Sequence, residues 1–159
     1  MRAFFAFFAC VLSALALGCM GEAGTTGMNP GSTSGICPTT MQAHFSSIRQ
    51  ELFAKSCGTG GASCHSAAGS VDSGGLDLAT DPYGALVGKN AANLSGSVNG
   101  LVRVKPGDPD GSFLVIKLRT MTSADPQYGS GMPFTSPGSV CSGAVNEIVQ
   151  WIAQGAPND

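Results

Sequence analysis

The stretch Cys57-Gly58-Thr59-Gly60-Gly61-Ala62-Ser63-Cys64-His65 places two thiols on one loop, with an imidazole directly after the second thiol. A c-type haem site requires this set of groups, because the thiols bond the porphyrin vinyl groups and the histidine binds the iron. The usual spacing is C-x-x-C-H, whereas six residues separate Cys57 from Cys64. Since the vinyl groups are a fixed distance apart, the extra residues must bulge outward, and the three glycines among them allow such a bulge.

The N-terminal residues predict an exported lipoprotein. Arg2 precedes an almost unbroken apolar run over residues 4–17, which is shorter than a membrane span and typical of a signal peptide. The run ends in Leu-Ala-Leu-Gly-Cys at residues 15–19, which resembles a bacterial lipobox. We therefore expect residues 1–19 to be a lipoprotein signal peptide with lipidated Cys19, which would anchor the protein to a membrane of the bacterial cell envelope, facing the periplasm or the exterior. In the alternative, the protein is secreted and Cys19 is incidental.

The rest of the chain divides into a linker and one domain. Residues 20–36 have no apolar periodicity and are rich in Gly, Ser and Thr, which predicts a flexible linker. Residues 37–157 have the length of an ordinary single domain. Without Arg2 the chain has seven basic and ten acidic residues, a net charge of −3, and no basic face. Nucleic acid is therefore not an expected partner.

The apolar pattern of the domain predicts helices joined by long loops. A first helix is expected over residues 38–55, and a short helical turn is expected after Asp81-Pro82. A third helix should follow Ser112 as its N-cap, and a last helix should cover residues 142–154. Apolar residues at helical spacing mark one face of the first helix: Met41, Phe45, Ile48 and Leu52. Because no long alternating strand pattern occurs, we expect an all-α domain. Loops this long are unusual in a small domain unless a haem or disulfides fill the middle.

Five short motifs follow one another in a characteristic order across the mature chain. They are the Cys57…Cys64-His65 loop, Gly75-Leu76-Asp77-Leu78, the turn from Val104 to Ser112 (Val-Lys-Pro-Gly-Asp-Pro-Asp-Gly-Ser), Met132-Pro133, and the final Trp151-Ile152-Ala153-Gln154-Gly155-Ala156. This order resembles a family of bacterial cytochrome c-like proteins that are exported and often lipid-anchored. The resemblance covers essentially the whole mature domain.

The resemblance implies a small cytochrome c-like domain that carries electrons through one covalent haem c. By position, Cys57 and Cys64 would bond the haem, His65 would be the proximal iron ligand and Met132 the distal one. A haem bonded through Cys64 alone is an intermediate possibility, because the attachment machinery recognises the compact motif. Met121 competes with Met132 for the ligand role. The expected partner is a redox protein of the cell envelope, and no bond-making catalysis is implied.

The cysteines leave a second interpretation open. Cys37, Cys57, Cys64 and Cys141 remain in the domain, and four cysteines allow three pairings. The resemblance favours a Cys37–Cys141 disulfide, since the first and last helices pack together in the cytochrome c fold. A second bond between Cys57 and Cys64 would give a haem-free, disulfide-stapled envelope module with a binding or structural role. A zinc site formed by these two thiols, His65 and His44 matches no standard finger spacing.

Overall fold

The computed structural model describes residues 35–58, 63–92 and 100–159. Over these residues the chain is helix-rich and contains isolated β-bridges but no extended strand. The helices are α1 (Phe45–Ile48), a π-helix that continues it (Arg49–Gly58), two 3₁₀ helices (Ser63–His65 and Gly69–Ser73), α2 (Pro82–Leu86), α3 (Phe113–Arg119) and α4 (Ser142–Ala153). The predicted all-α class is therefore confirmed at the level of a mostly helical domain. The expected signal peptide and residues 20–34 of the expected linker lie outside the described residues.

The first helix begins later than the sequence pattern predicts. Residues 38–44 are not helical, and α1 starts at Phe45. The side chain of Asp159 accepts hydrogen bonds from the main-chain N–H groups of Phe45 at 2.7 Å and Ser46 at 3.4 Å, which satisfies donors that a helix start leaves unpaired. The predicted start of this helix at residue 38 was therefore wrong. The predicted apolar face was correct, because Met41, Phe45, Ile48 and Leu52 are all buried.

The first and last helices meet in an aromatic core. The ring of Phe45 lies 5.4 Å from the ring of Trp151 and 5.1 Å from that of Tyr83, centroid to centroid. Trp151 is fully buried, and its indole N–H donates to the carbonyl of Pro157 at 2.9 Å. Because the Tyr83 hydroxyl donates to the carbonyl of Ala156, the C-terminal segment is fixed against the same core.

A disulfide joins Cys37 to Cys141, as predicted. The two Cα atoms are 5.1 Å apart, although 104 positions separate the residues in sequence. Beside the bond, the N–H of Ile36 donates to the carbonyl of Ser139 at 2.8 Å, and the N–H of Cys141 donates to the carbonyl of Ile36 at 3.1 Å. The covalent bond and these hydrogen bonds together hold the start of the domain against the start of α4.

The shorter helices begin where the sequence predicts. Asp81 precedes α2, and its carboxylate accepts a hydrogen bond from the N–H of Gly84 at 3.0 Å. Ser112 precedes α3, but its hydroxyl donates to the carbonyl of Asp108 at 2.8 Å and so closes the preceding turn instead of capping the helix. No helix in the described ranges is long and apolar enough to cross a bilayer.

Candidate functional site

Two adjoining cavities lie between the Cys64-His65 loop and the Met132 loop. They have volumes of about 270 and 300 Å³, and both are lined by Cys57, His65, Ser73, Leu118 and Met132. The first, here called the Arg103 lobe, is also lined by Arg103, Lys117 and several apolar side chains. The second, the Cys64 lobe, is also lined by Ser56, Cys64, Pro133, Phe134 and Thr135. Because five residues line both cavities, we treat the two as lobes of one site; each has a volume near the lower end of the range for small-molecule sites.

His65 is held so that one ring nitrogen remains available to a ligand. Its Nδ1 lies 3.2 Å from the carbonyl oxygen of Leu76, and its own carbonyl accepts from the N–H of Leu78 at 2.7 Å. Because a carbonyl oxygen only accepts, Nδ1 carries the proton and Nε2 is the basic nitrogen. Burial lowers the pKa of His65; the Leu76 hydrogen bond opposes this shift and the positive charge of Arg103 adds to it. The ring is therefore neutral at neutral pH, the form that binds a metal.

Met132 is positioned by α3. Its N–H donates to the carbonyl of Lys117 at 2.8 Å, while the Lys117 ammonium donates to the carbonyls of Tyr128, at 3.1 Å, and Ser130. These contacts fix the loop on which the thioether lines both lobes. Met121, the competing residue, is 60% exposed and lines neither cavity.

Cys57 and Cys64 are free thiols in different surroundings. Cys57 lies in the last turn of the π-helix, where burial, and to a smaller extent nearby Cys64, raises its pKa to about 11. Cys64 is exposed, and its carbonyl accepts a 2.7 Å hydrogen bond from the Ser73 hydroxyl. The alternative Cys57–Cys64 disulfide is thus not formed in this structure. The expected bulge includes residues 59–62, which lie outside the described residues.

Two cations at the cavity were missed at the level of sequence. Arg103 donates to the carbonyl of Ala85 at 2.8 Å and to that of Gly74 at 2.7 Å, and with Lys117 it lines the Arg103 lobe. Neither residue belongs to a motif with known chemistry. The available signal was the position of Arg103 within an otherwise apolar segment, Leu101 to Val104, since a charge in such a run needs a partner.

The zinc alternative is not supported. Within the described part of the chain, no three His, Cys, Asp or Glu side chains are grouped so that they could hold a metal ion. His44 instead pairs with Asp159, with Nδ1 2.7 Å from a carboxylate oxygen, and its side chain is 59% exposed. It therefore contributes to the helix start and not to the cavity.

Comparison with known proteins gives no relative from which a function could be transferred. No family model, no curated protein and no solved structure matches the chain. The function must therefore be argued from the residues and the geometry of the cavity.

Proposed function

We propose that this protein is an exported, lipid-anchored c-type cytochrome-like electron carrier that binds one haem in the two-lobed cavity. The proposal depends on one observation: His65 and Met132, from loops far apart in sequence, line both lobes, together with Cys57. Cys64 adds a second thiol to one lobe. These are the four residues that the family resemblance assigns to haem attachment and iron ligation.

The chemistry of these residues fits a haem. A neutral imidazole and a thioether are the ligand pair of electron-transfer haems, and the soft sulfur raises the reduction potential by favouring reduced iron. Buried or partly buried apolar side chains supply most of the remaining wall, including Leu52, Phe53 and Leu118. Such walls suit a flat apolar macrocycle. When bound, the haem would supply the one-electron chemistry.

The protein itself would bind the haem, orient the two iron ligands and limit the access of water. Leu76 holds the His65 ring through Nδ1, so that Nε2 would be the iron ligand. The hydrogen bond to Lys117 fixes the main chain of Met132, which would be the second ligand. With a haem bound, the apolar wall would limit the access of water to the iron, which is one of the means by which proteins control redox potential.

The rest of the proposal concerns the fold and the cell envelope. A cytochrome c-like arrangement is supported by the contact between the first and last helices at Phe45 and Trp151. Residues 20–36 would act as a tether between lipidated Cys19 and the domain, and the partner would be a redox protein of the envelope. Replacing Cys19 with Ser should release the protein from the membrane fraction or leave it unprocessed. Full processing and unchanged membrane association would contradict the anchor.

A second candidate function is favoured by the six-residue spacing between Cys57 and Cys64, which departs from the standard attachment motif. In this alternative the protein is a haem-free envelope module, stapled by disulfides, and the cavity binds another apolar ligand. The two thiols would then be oxidised to each other in the envelope, which is an oxidising compartment.

The deciding experiment is a visible absorption spectrum of the exported protein before and after reduction with dithionite. A haem protein shows a low-spin spectrum that changes on reduction, and His65→Ala should abolish it. Met132→Ala should retain the haem but lose the sulfur-to-iron band and lower the potential, while Met121→Ala should change neither. A colourless protein with Cys57 joined to Cys64 would contradict the electron-carrier function and support the haem-free module.

A further inference from the structure

The two lobes of the cavity differ in charge. Arg103 and Lys117 both line the Arg103 lobe, and neither lines the Cys64 lobe. The lining of the Cys64 lobe contains no Lys or Arg and instead holds both thiols. Both cations therefore lie at one lobe, whereas Cys64 lines only the other lobe and Cys57 lines both.

Arg103 is fixed at this end and has unused hydrogen-bonding capacity. A guanidinium has five N–H donors, and the carbonyls of Ala85 and Gly74 take two of them. These two bonds anchor the planar group to α2 and to the residue that ends the second 3₁₀ helix. None of the four ion pairs among the described side chains includes Arg103, so none of their carboxylates neutralises its charge.

Lys117 adds a second positive charge, and main-chain carbonyls also take two of its N–H donors. Its ammonium has three N–H donors, of which the carbonyls of Tyr128 and Ser130 take two. The group lies 5.5 Å from the centre of the Phe113 ring and is half-buried. Asp125 acts on it electrostatically, so Arg103 is the less compensated of the two cations.

We propose that the Arg103 lobe binds the carboxylate end of an apolar, carboxylate-bearing ligand, with Arg103 as the principal contact and Lys117 as a secondary one. For a haem, and resting on the function proposed above, the two propionates would contact Arg103 and the vinyl edge would lie toward Cys64, which lines only the other lobe. A planar guanidinium matches a carboxylate geometrically, and a hydrogen bond between two charged groups is roughly twice as strong as one between neutral groups.

The test compares two probes that differ only in their carboxylates. Unloaded protein is titrated with ferric protoporphyrin and with its dimethyl ester in the same dilute cosolvent, and binding is followed by absorbance and by quenching of Trp151 fluorescence. We expect the diacid to bind about 10- to 100-fold more tightly than the diester, the ratio that one or two charge-assisted hydrogen bonds produce. Equal binding of the two probes would overturn the inference.

Substitutions locate the effect. Arg103→Gln should reduce the diacid-to-diester ratio toward one, whereas Arg119→Gln should leave it unchanged, because Arg119 pairs with Asp110 away from the cavity. If Arg103→Gln does not fold, the comparison of the two probes on the unaltered protein still decides whether the cavity recognises carboxylates. An unchanged ratio in folded Arg103→Gln would overturn the assignment to Arg103. If neither porphyrin binds to the unaltered protein, the proposed function itself fails, which separates the two possibilities.

Discussion

The main-chain N–H of Met132 donates a 2.8 Å hydrogen bond to the carbonyl oxygen of Lys117. The side chain of the same lysine donates to the carbonyls of Tyr128 and Ser130, which lie four and two residues before Met132. Lys117 of α3 therefore fixes this loop through both its main-chain carbonyl and its side-chain ammonium. The position of the candidate sulfur ligand depends on a lysine that is not itself a candidate ligand of the iron.

Replacing Lys117 with Gln should loosen the Met132 loop. The change keeps the main-chain carbonyl but removes the ammonium, so the carbonyls of Tyr128 and Ser130 lose a charged donor. We expect a loss of roughly 1.5–3 kcal/mol in the free energy of unfolding, the range for hydrogen bonds to charged groups. Denaturant unfolding measures this loss. In the haem-loaded protein the sulfur-to-iron band should also weaken while the haem content stays constant.

The matched control for this substitution is Lys105→Gln. Lys105 also pairs through its ammonium, with Asp108 at 2.8 Å, but its side chain is 59% exposed and lines neither lobe. Exposed pairs contribute little, so this variant should remain within about 0.5 kcal/mol of the parent. Equal effects of the two variants would contradict a positioning role for Lys117.

Cys64 should react with iodoacetamide well before Cys57 in the unloaded, folded protein. Burial raises the pKa of Cys57 to about 11, so at pH 8 only about one thiol in a thousand is ionised, and the thiolate is the reactive form. Cys64 is exposed to the reagent. Mass spectrometry of peptides over time measures both rates, and unfolding in denaturant should make them similar. Faster labelling of Cys57 in the folded protein would contradict its described environment.

His65 should make the unloaded protein less stable in mild acid. Burial lowers the pKa of His65 in the folded state, whereas the unfolded side chain titrates near pH 6.5. As the pH falls through about 6.5, the unfolded state therefore binds more protons than the folded state, and stability decreases. Between pH 7.5 and 5.5 the free energy of unfolding should fall more in the parent protein than in His65→Gln. Identical pH dependence in the two proteins would exclude His65 as the cause.

The helical faces could be predicted from local sequence, but the helix start could not. Periodicity identifies Met41, Phe45, Ile48 and Leu52 because each turn of a helix brings these positions to one side. The start of α1 depends on Asp159, which lies 114 positions from Phe45 in sequence. No local pattern contains that contact, so the prediction extended the helix back to residue 38.

Some residues of the candidate site could be predicted from sequence, and others could be identified only in the folded structure. The Cys64-His65 pair and Met132 were identified because their residue types have known haem chemistry, and the fold brings them to one cavity. Arg103 and Lys117 belong to no such motif, and their importance arises from their placement beside an apolar space. Charge at a cavity wall is a property of tertiary structure, so sequence alone could not assign it.

Loss of the Cys37–Cys141 disulfide should produce the largest loss of stability among the cysteine substitutions. The bond closes a loop of about a hundred residues, and in the chain-entropy model such a constraint on the unfolded state contributes up to about 4–5 kcal/mol. The double variant Cys37→Ala/Cys141→Ala should therefore unfold at a much lower denaturant concentration than the parent. After the substitution, the start of the domain is held to the start of α4 only by non-covalent contacts, among them the main-chain hydrogen bonds of Ile36 with Ser139 and Cys141.

The control for the disulfide is Cys64→Ser, since Cys64 is exposed and unpaired and its replacement should change the free energy of unfolding by less than about 0.5 kcal/mol. Adding a reductant should lower the stability of the unloaded parent protein to that of the double variant and leave the double variant unchanged. If the double variant were as stable as the parent, the cross-link would have no role in stability. The contacts at Phe45 and Trp151 would then have to hold the two ends of the chain together by packing alone.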